Sequence, residues 1–198
     1  MADSPKRKPG RPRDATADRR ILAAARAVAA DVGIHGASMS AIADRSKTGK
    51  PTIYLRWADR RAVMVAAIVD LDGPVAEPAA ASTREALTLA LLDDRELLVA
   101  GPEARFLRSA LFESATDGDI CDALDGSILG PRRERLRRIA AKGARRGDLR
   151  PEVDPAACAD LLLATIVRAM VLGGDGADPD EIEHHASLIA NGSLAQAR

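Results

Sequence analysis

The sequence predicts an all-α fold of about nine helices, and three observations carry that prediction. Hydrophobic residues make up 46% of the 198 positions but aromatic ones only 2%, and strands draw on aromatic and β-branched side chains far more than helices do. Apolar residues recur at helical spacing along most of the chain, and no segment alternates with period two. Helix-start devices also recur: a hydroxyl or carboxylate that can cap, followed by Pro or by Glu three residues on.

Each element follows from local chemistry. Residues 1–13, MADSPKRKPGRPR, have nothing to bury and are expected to form a disordered basic arm. A helix over about 14–31 places Ile21, Ala25, Val28, Ala29 and Val32 on one face, and Gly33 and Gly36 end it. Ser38 caps a short helix over 38–45, Ser46-Lys47-Thr48-Gly49 forms a turn, and helix resumes over 50–57 with Pro51 in its first turn. Within it Ile53 and Trp57, four apart, point inward. Asp59 caps a fourth helix to about residue 71; its stretch 63–69 is apolar nearly all round and must be packed between other elements.

Residues 72–81, with Gly73, Pro74 and Pro78, read as a connecting loop. Ser82-Thr83-Arg84-Glu85 is a capping box opening a helix to about 99. Gly101-Pro102-Glu103 starts another to about 116, and a longer one over 119–142 is expected to bend at Gly130-Pro131. Asp154-Pro155 and Asp178-Pro179 open helices over about 155–172 and 179–193. The domains expected are therefore the arm 1–13, a module over 14–72 and a larger body over 83–198.

Net charge is zero, but it is unevenly spread. Residues 1–61 hold 14 Lys+Arg and 6 Asp+Glu, a net of +8, and the remainder carries −8. A basic head on an acidic body suits a protein with one end on phosphates. Two short helices joined by a four-residue turn behind a longer helix form a helix-turn-helix, whose second short helix fits the DNA major groove.

At these residues the chain resembles the tetracycline-repressor (TetR/AcrR) family of transcriptional regulators. Ser38, Ile42-Ala43, Thr52-Ile53-Tyr54, Trp57 and Arg60 stand where that family has Thr/Ser, Ile-Ala, Thr-Ile/Leu-Tyr, an aromatic and Lys. The stretch from Arg146-Gly147-Asp148-Leu149-Arg150 through Val153-Asp154-Pro155 to Leu161-Leu162-Leu163 resembles the last two helices of many family members, whereas 72–145 carries no matching motif. In the turn, Lys47, Thr48 and Gly49 replace the family's usual Gly, Val and Ser.

The resemblance implies a homodimeric repressor that binds double-stranded, near-palindromic operator DNA and is released by an unknown small-molecule effector. It implies that Lys50 and Pro51 reach base edges, that Thr52, Tyr54 and Arg56 hold phosphates, and that Ser38, Ser40 and Arg60 lie on the backbone. Lys6 to Arg13 also resembles an AT-hook with a Gly10-Arg11-Pro12 core, which would set Arg11 and Arg13 in a narrow minor groove; a solubilising tail is the alternative.

In the body, the resemblance places a ligand pocket among helices 83–142 and 155–172, with Phe106, Leu107, Leu111, Phe112, Leu124, Ile128 and Ile166 as candidates. A generic core would look the same. The family pairs its last two helices with those of a second copy; Leu161, Leu162, Ile166, Met170, Ile182, Ala186 and Ile189 could supply that seam.

An enzyme is not expected. His35, His184 and His185 are the only histidines, there is no HExxH, GxSxG or phosphate-binding Gly loop, and Gly173-Gly174-Asp175-Gly176 follows no strand. The His184-His185 pair faces two directions and cannot chelate one metal, so neither metal nor cofactor is expected. Cys121 and Cys158 have no paired spacing and read as small apolar residues of a reducing cytoplasm. No uninterrupted apolar run of about 18 residues suggests a membrane span. An architectural DNA-binding protein without effector, and an activator rather than a repressor, remain as alternatives.

Overall fold

The computed structural model describes residues 15–172, 178–184 and 187. The arm with Arg11 and Arg13, the loop Gly173-Gly174-Asp175-Gly176, and His185, Ala186 and Ile189 lie outside the described residues, as does the rest of the helix expected to run to 193.

Among the described residues every regular element is helical: α1 (Ala15–Gly36), α2 (Met39–Ser46), α3 (Lys50–Tyr54), α4 (Arg60–Val69), α5 (Thr83–Arg95), α6 (Ala104–Glu113), α7 (Gly118–Leu124), α8 (Gly130–Arg146) and α9 (Pro155–Leu172), with a further helical turn at 179–184. Two wide i→i+5 turns, Glu96–Ala100 and Asp125–Leu129, extend α5 and join α7 to α8. The helix expected over 119–142 is thus divided, and the irregularity falls one turn before Pro131.

The starts and stops are those that capping chemistry demands. Ser38 Oγ accepts from Ala41 N at 3.1 Å and Asp59 Oδ1 from Ala62 N at 2.8 Å. Ser82 Oγ accepts from Glu85 N at 3.2 Å, while Glu85 reaches back to Ala81 N at 2.8 Å. Asp154 and Asp178 each accept from the N–H two residues on, at 3.0 and 3.1 Å. The α-helical run of α1 is interrupted at Gly33, whose φ of 78° suits glycine.

α1 is the hub. Ile21, Leu22, Ala25, Val28 and Ala29 are buried, and α2 and α4 pack on the helix from one side while α6 crosses it from the other. Val32 departs from the expected stripe: it is 58% exposed, because the helix has turned away from the core just before the Gly33 break. α4 buries Val63, Met64, Ala67 and Ile68 but leaves Arg61 and Val69 exposed, so it is packed on one side rather than all round.

In the body α8 packs on α5 and α9. The approach to α5 is closest at Gly143, where a Cβ would lie 2.6 Å from the Thr83 side chain. Thr83 Oγ1 there donates to Asp148 at 2.6 Å and accepts from Arg146 at 2.8 Å. Deeper in, Asp94 of α5 and Arg135 of α8 are almost wholly buried together, with Arg132 beside them.

α9 has the length and mean hydropathy, 1.7 over Pro155–Leu172, that a bilayer span would need. Its inner face is occupied by the core, however, and its outer face carries Asp160 and Arg168. That division splits the expected seam, leaving Leu161 outward. Leu162, Ile166, Met170 and Ile182 are 0–2% exposed and enclosed within the protomer; a side chain buried by its own core has no surface to offer a second copy. The outward stripe of α9 is Ala157, Leu161, Ala164, Arg168 and Val171, at helical spacing, with Leu161 59% and Val171 43% exposed.

Candidate nucleic-acid interface

The helix-turn-helix is built from α2, a turn over 47–49, and α3. Ile42 and Ala43 anchor α2 in the core and Ile53 anchors α3, each at 6% exposure or less. Burying an isoleucine in full stabilises by about 1.5–3 kcal/mol, enough to fix the rotation of a five-residue helix that could not persist alone. With Ile53 turned inward, Lys50, Pro51, Tyr54 and Leu55 face outward.

The turn closes in spite of its unusual residues. Lys47 adopts the left-handed conformation, φ 50° and ψ 41°, where the family uses glycine. Its N–H and that of Thr48 return to the carbonyls of Asp44 and Ala43 at 3.3 and 3.0 Å. The Thr48 hydroxyl is satisfied where an apolar group was expected: it donates to Ser46 O at 3.2 Å and accepts from Arg20 of α1 at 3.4 Å. A left-handed non-glycine residue costs on the order of 1 kcal/mol, so Lys47→Gly should stabilise the protein by about that amount. Thermal unfolding should show Tm higher by about 2–4 °C; an unchanged or lowered Tm would mean that the Lys47 side chain makes up the difference by its own packing.

The predicted DNA residues divide by their intramolecular partners. Lys50 is exposed and makes no hydrogen bond or ion pair among the described residues, and Pro51 is exposed beside it at the start of α3. Tyr54 is 51% exposed. The Ser38 hydroxyl accepts from Ala41 N. Ser40 and Thr52 are half-buried.

Two of the expected contacts have partners within the chain. Arg56 is ion-paired with Asp18 of α1 and donates to Thr52 O at 3.1 Å, its side chain only 19% exposed. Arg60 donates to the His35 carbonyl near the end of α1. Both guanidiniums tie the helix-turn-helix region to its supporting helix. The spacing could not reveal this, because their acceptors lie 38 and 25 residues away in sequence.

Two residues were missed. Leu55, just past α3, is 86% exposed, an unusual position for leucine in a well-packed module. Lys47 in the turn is exposed and, like Lys50, makes no side-chain hydrogen bond or ion pair among the described residues. Exposure of a large apolar residue beside Tyr54 was the available signal for Leu55; periodicity alone could not assign it a face, since α3 is too short to define one.

The predicted pocket residues also divide. Phe106, Leu107, Leu124, Ile128 and Ile166 are at most 2% exposed and belong to the core cluster, and Leu111 packs half-buried against it. Phe112 does not join them: it is 57% exposed and lines a cleft between α1 and α6. Cys121 is exposed and unpaired; burial pushes the Cys158 thiol upward. Among the described residues no group of three His, Cys, Asp or Glu is placed to hold a metal ion.

A short recognition helix locked by one buried isoleucine, on an all-helical body, defines a helix-turn-helix DNA-binding regulator. The chain matches the family model for bacterial regulatory proteins of the tetR family over residues 21–67, and that for the tetracyclin repressor-like C-terminal domain over residues 77–189. It belongs to the TetR family of transcriptional regulators. Among curated proteins it is 26% identical, over 170 residues and 85% of each chain, to YdeS of Bacillus subtilis (strain 168), described as an uncharacterized HTH-type transcriptional regulator.

Solved structures show the same fold at lower identity. GusR of Salmonella enterica aligns with a TM-score of 0.71 and 18% identity over 90% of this chain and 94% of its own. A transcriptional regulator from Saccharomonospora viridis, in complex with choline, aligns with a TM-score of 0.71 and 21% identity over 93% and 100%.

Proposed function

We propose that the protein is a homodimeric repressor that occupies a near-palindromic operator and is released by a small molecule. The observation that carries the reading is the outward set Lys50, Pro51, Tyr54 and Leu55 on a helix whose orientation Ile53 determines. Lys50, at the positive end of the helix dipole, offers donors to guanine; Pro51 and Leu55 offer apolar contact to thymine methyls. Tyr54 holds a phosphate through its hydroxyl, and Ser38, Ser40 and Thr52 lie along the backbone. On this reading the region 14–72 reads DNA, 83–198 senses and dimerises, and Arg11 and Arg13 in the arm add minor-groove contacts. A DNA-binding regulator of this kind works in the cytoplasm without enzymatic activity.

Dimerisation is supported by the exposed Ala157, Leu161, Ala164 and Val171 on the outer side of α9, and twofold pairing gives two recognition helices for a palindrome. Effector control is supported by the relative solved with choline. In this chain the core around Phe106, Leu107, Leu124, Ile128 and Ile166 is the region proposed to open for the ligand, which must bind one arrangement of the body better than the other.

The test separates specificity from affinity. Lys50→Ala should relax preference at one or two base pairs per half-site, by roughly 1–3 kcal/mol against the best operator. Tyr54→Phe keeps the ring and removes one hydrogen bond, so it should weaken all sequences evenly, by roughly 1 kcal/mol per subunit. Both variants are titrated against a library of operator mutants at fixed salt. An even loss for Lys50→Ala with reshaped preference for Tyr54→Phe would reverse the two roles, and no change in either would take this helix out of the groove.

A further inference from the structure

A cleft of about 340 Å³ opens where α1 meets α6, away from both the recognition helix and the α9 stripe. Its apolar wall is formed by Ala29, Ala30 and Ile34 of α1 and by Phe112 of α6. The Phe112 ring, 57% exposed, gains burial only if something covers it.

The opposite character comes from the neighbouring α6 positions. Arg108 is half-buried on the cleft wall and makes no hydrogen bond or ion pair among the described residues. The charges around it do not compensate it. Asp31 is already taken by Arg45 at 2.7 Å and stands 3.9 Å from Arg105. Glu113 faces His35, with 3.9 Å between them. Three guanidiniums therefore meet two carboxylates, leaving a surplus of one cation. Beside Arg108, the Ser109 oxygen accepts the Ile34 N–H at 2.7 Å, and its own proton has no acceptor among the described residues.

That Ser109 bond places the cleft on the joint between module and body. The Gly33 break, at φ 78°, removes Ile34 from the regular run of α1, and a hydroxyl from α6 takes up the N–H. Whatever binds Ser109 or wedges against Phe112 therefore acts on the seating of α1, the helix on which Asp18 braces the recognition module through Arg56.

We propose that this cleft binds a small organic monoanion, an aromatic carboxylate whose ring lies on Phe112 and Ala30 and whose carboxylate takes donors from Arg108 and Ser109, and that occupancy alters how α1 sits on α6. One ring and one carboxylate suit the volume, the apolar wall and the single surplus cation. Binding stands independently of the repressor reading; the effect on DNA rests on it.

The test uses the full chain and phenylacetate as the probe, with phenylacetamide as its uncharged counterpart, both titrated by calorimetry. Phenylacetate should bind saturably, one per chain. The amide should bind at least about tenfold more weakly, since a charge-assisted contact is replaced by a neutral one. Arg108→Gln and Phe112→Ala should each weaken phenylacetate by a similar factor while keeping the wild-type circular dichroism. Absence of phenylacetate binding in the millimolar range, equal binding of the amide, or unchanged binding in both variants would each overturn the site. Because the amide comparison uses the unaltered protein, it decides the matter even if a variant misfolds.

A second measurement addresses the joint. Phenylacetate should change the affinity of the wild type, but not of Arg108→Gln, for a duplex selected by the protein from random sequence. If phenylacetate binds and the duplex affinity does not move, the claim about α1 is wrong. If the wild type selects no duplex at all, the repressor reading fails while the calorimetric result still decides the site.

Discussion

Leu161→Asp is expected to separate the protomers and to lower operator affinity by about two orders of magnitude or more, the factor by which joined binding modules exceed a single one. Leu161 lies at the middle of the outward stripe of α9, flanked by Ala157 and Ala164 one turn to either side. In an isologous interface the substitution occurs twice across one axis, so two carboxylates are desolvated in the same apolar seam. The protomer itself should be untouched, because Leu161 is 59% exposed and contributes little to its own core. Sedimentation at micromolar concentration should show a folded monomer with wild-type thermal unfolding extrapolated to infinite dilution. Leu162→Asp, by contrast, should fail to fold, since Leu162 is wholly buried. A dimeric Leu161→Asp protein would move the seam off α9.

Asp94→Ala is expected to destabilise the protein by about 3–5 kcal/mol, because it removes the buried oxygen that Arg135 and Arg132 share and leaves Arg132 with no acceptor group in its place. Asp94 Oδ1 lies 2.6 Å from Arg135 and 3.1 Å from Arg132, and Asp94 is fully enclosed between α5 and α8. Arg135 also holds Asp93 at 2.7 Å and the Ala90 carbonyl at 2.7 Å, so its charge cannot simply withdraw to solvent. Tm should fall by an amount on the order of 10 °C, whereas replacing all three charged residues by apolar ones of similar volume should be far less costly.

The same carboxyl sets a pH dependence. Burial pushes Asp94 up to about 6 against the opposing pull of Arg135 and Arg132. An acid with a raised folded value binds its proton more tightly when folded, so stability increases as pH falls through about 6 and the gain is complete below the ordinary value near 3.8. Glu77, lowered by Lys142 and Arg138, works in the opposite sense but only below its ordinary value of 4.5. Between pH 7 and 5, therefore, Asp94 should contribute a slope to wild-type stability that is missing from Asp94→Asn. A slope unchanged in that variant would show that another group carries it.

How much was legible follows from the range of the interactions. Caps, breaks and the inward Ile53 are set by residues within four positions of one another, and Ser38, Asp59, Ser82, Gly33 and Ile53 all act as their local chemistry implies. The helix-turn-helix was visible because its spacing, its supporting helix and its residue types are all local. The partners of Arg56 and Arg60 on α1 were not legible, because a long cation on an outer face looks the same with or without a distant acceptor. Phe112 was placed with Phe106 although the two are six residues apart on one short helix, and at about 100° per residue they point about 120° apart, enough for one to be buried and the other exposed.

The sequence by itself determined an all-helical chain, the position of its recognition module and its family, since these depend on periodicity, caps and a local motif. Only the tertiary structure decided which side of each amphipathic helix faces inward when both sides are apolar. Along α9, Leu161, Leu162 and Leu163 are chemically identical and consecutive, yet Leu161 is exposed while the other two are buried. The 100° step per residue distributes them around the helix axis, and the side that is buried is settled by where α8 and α5 lie, 10 to 80 residues earlier in the chain. The buried charges of Asp94, Arg132 and Arg135 are of the same kind: nothing within four residues of Asp94 anticipates a guanidinium from α8, and only the packing of those two helices makes the burial of three charges possible.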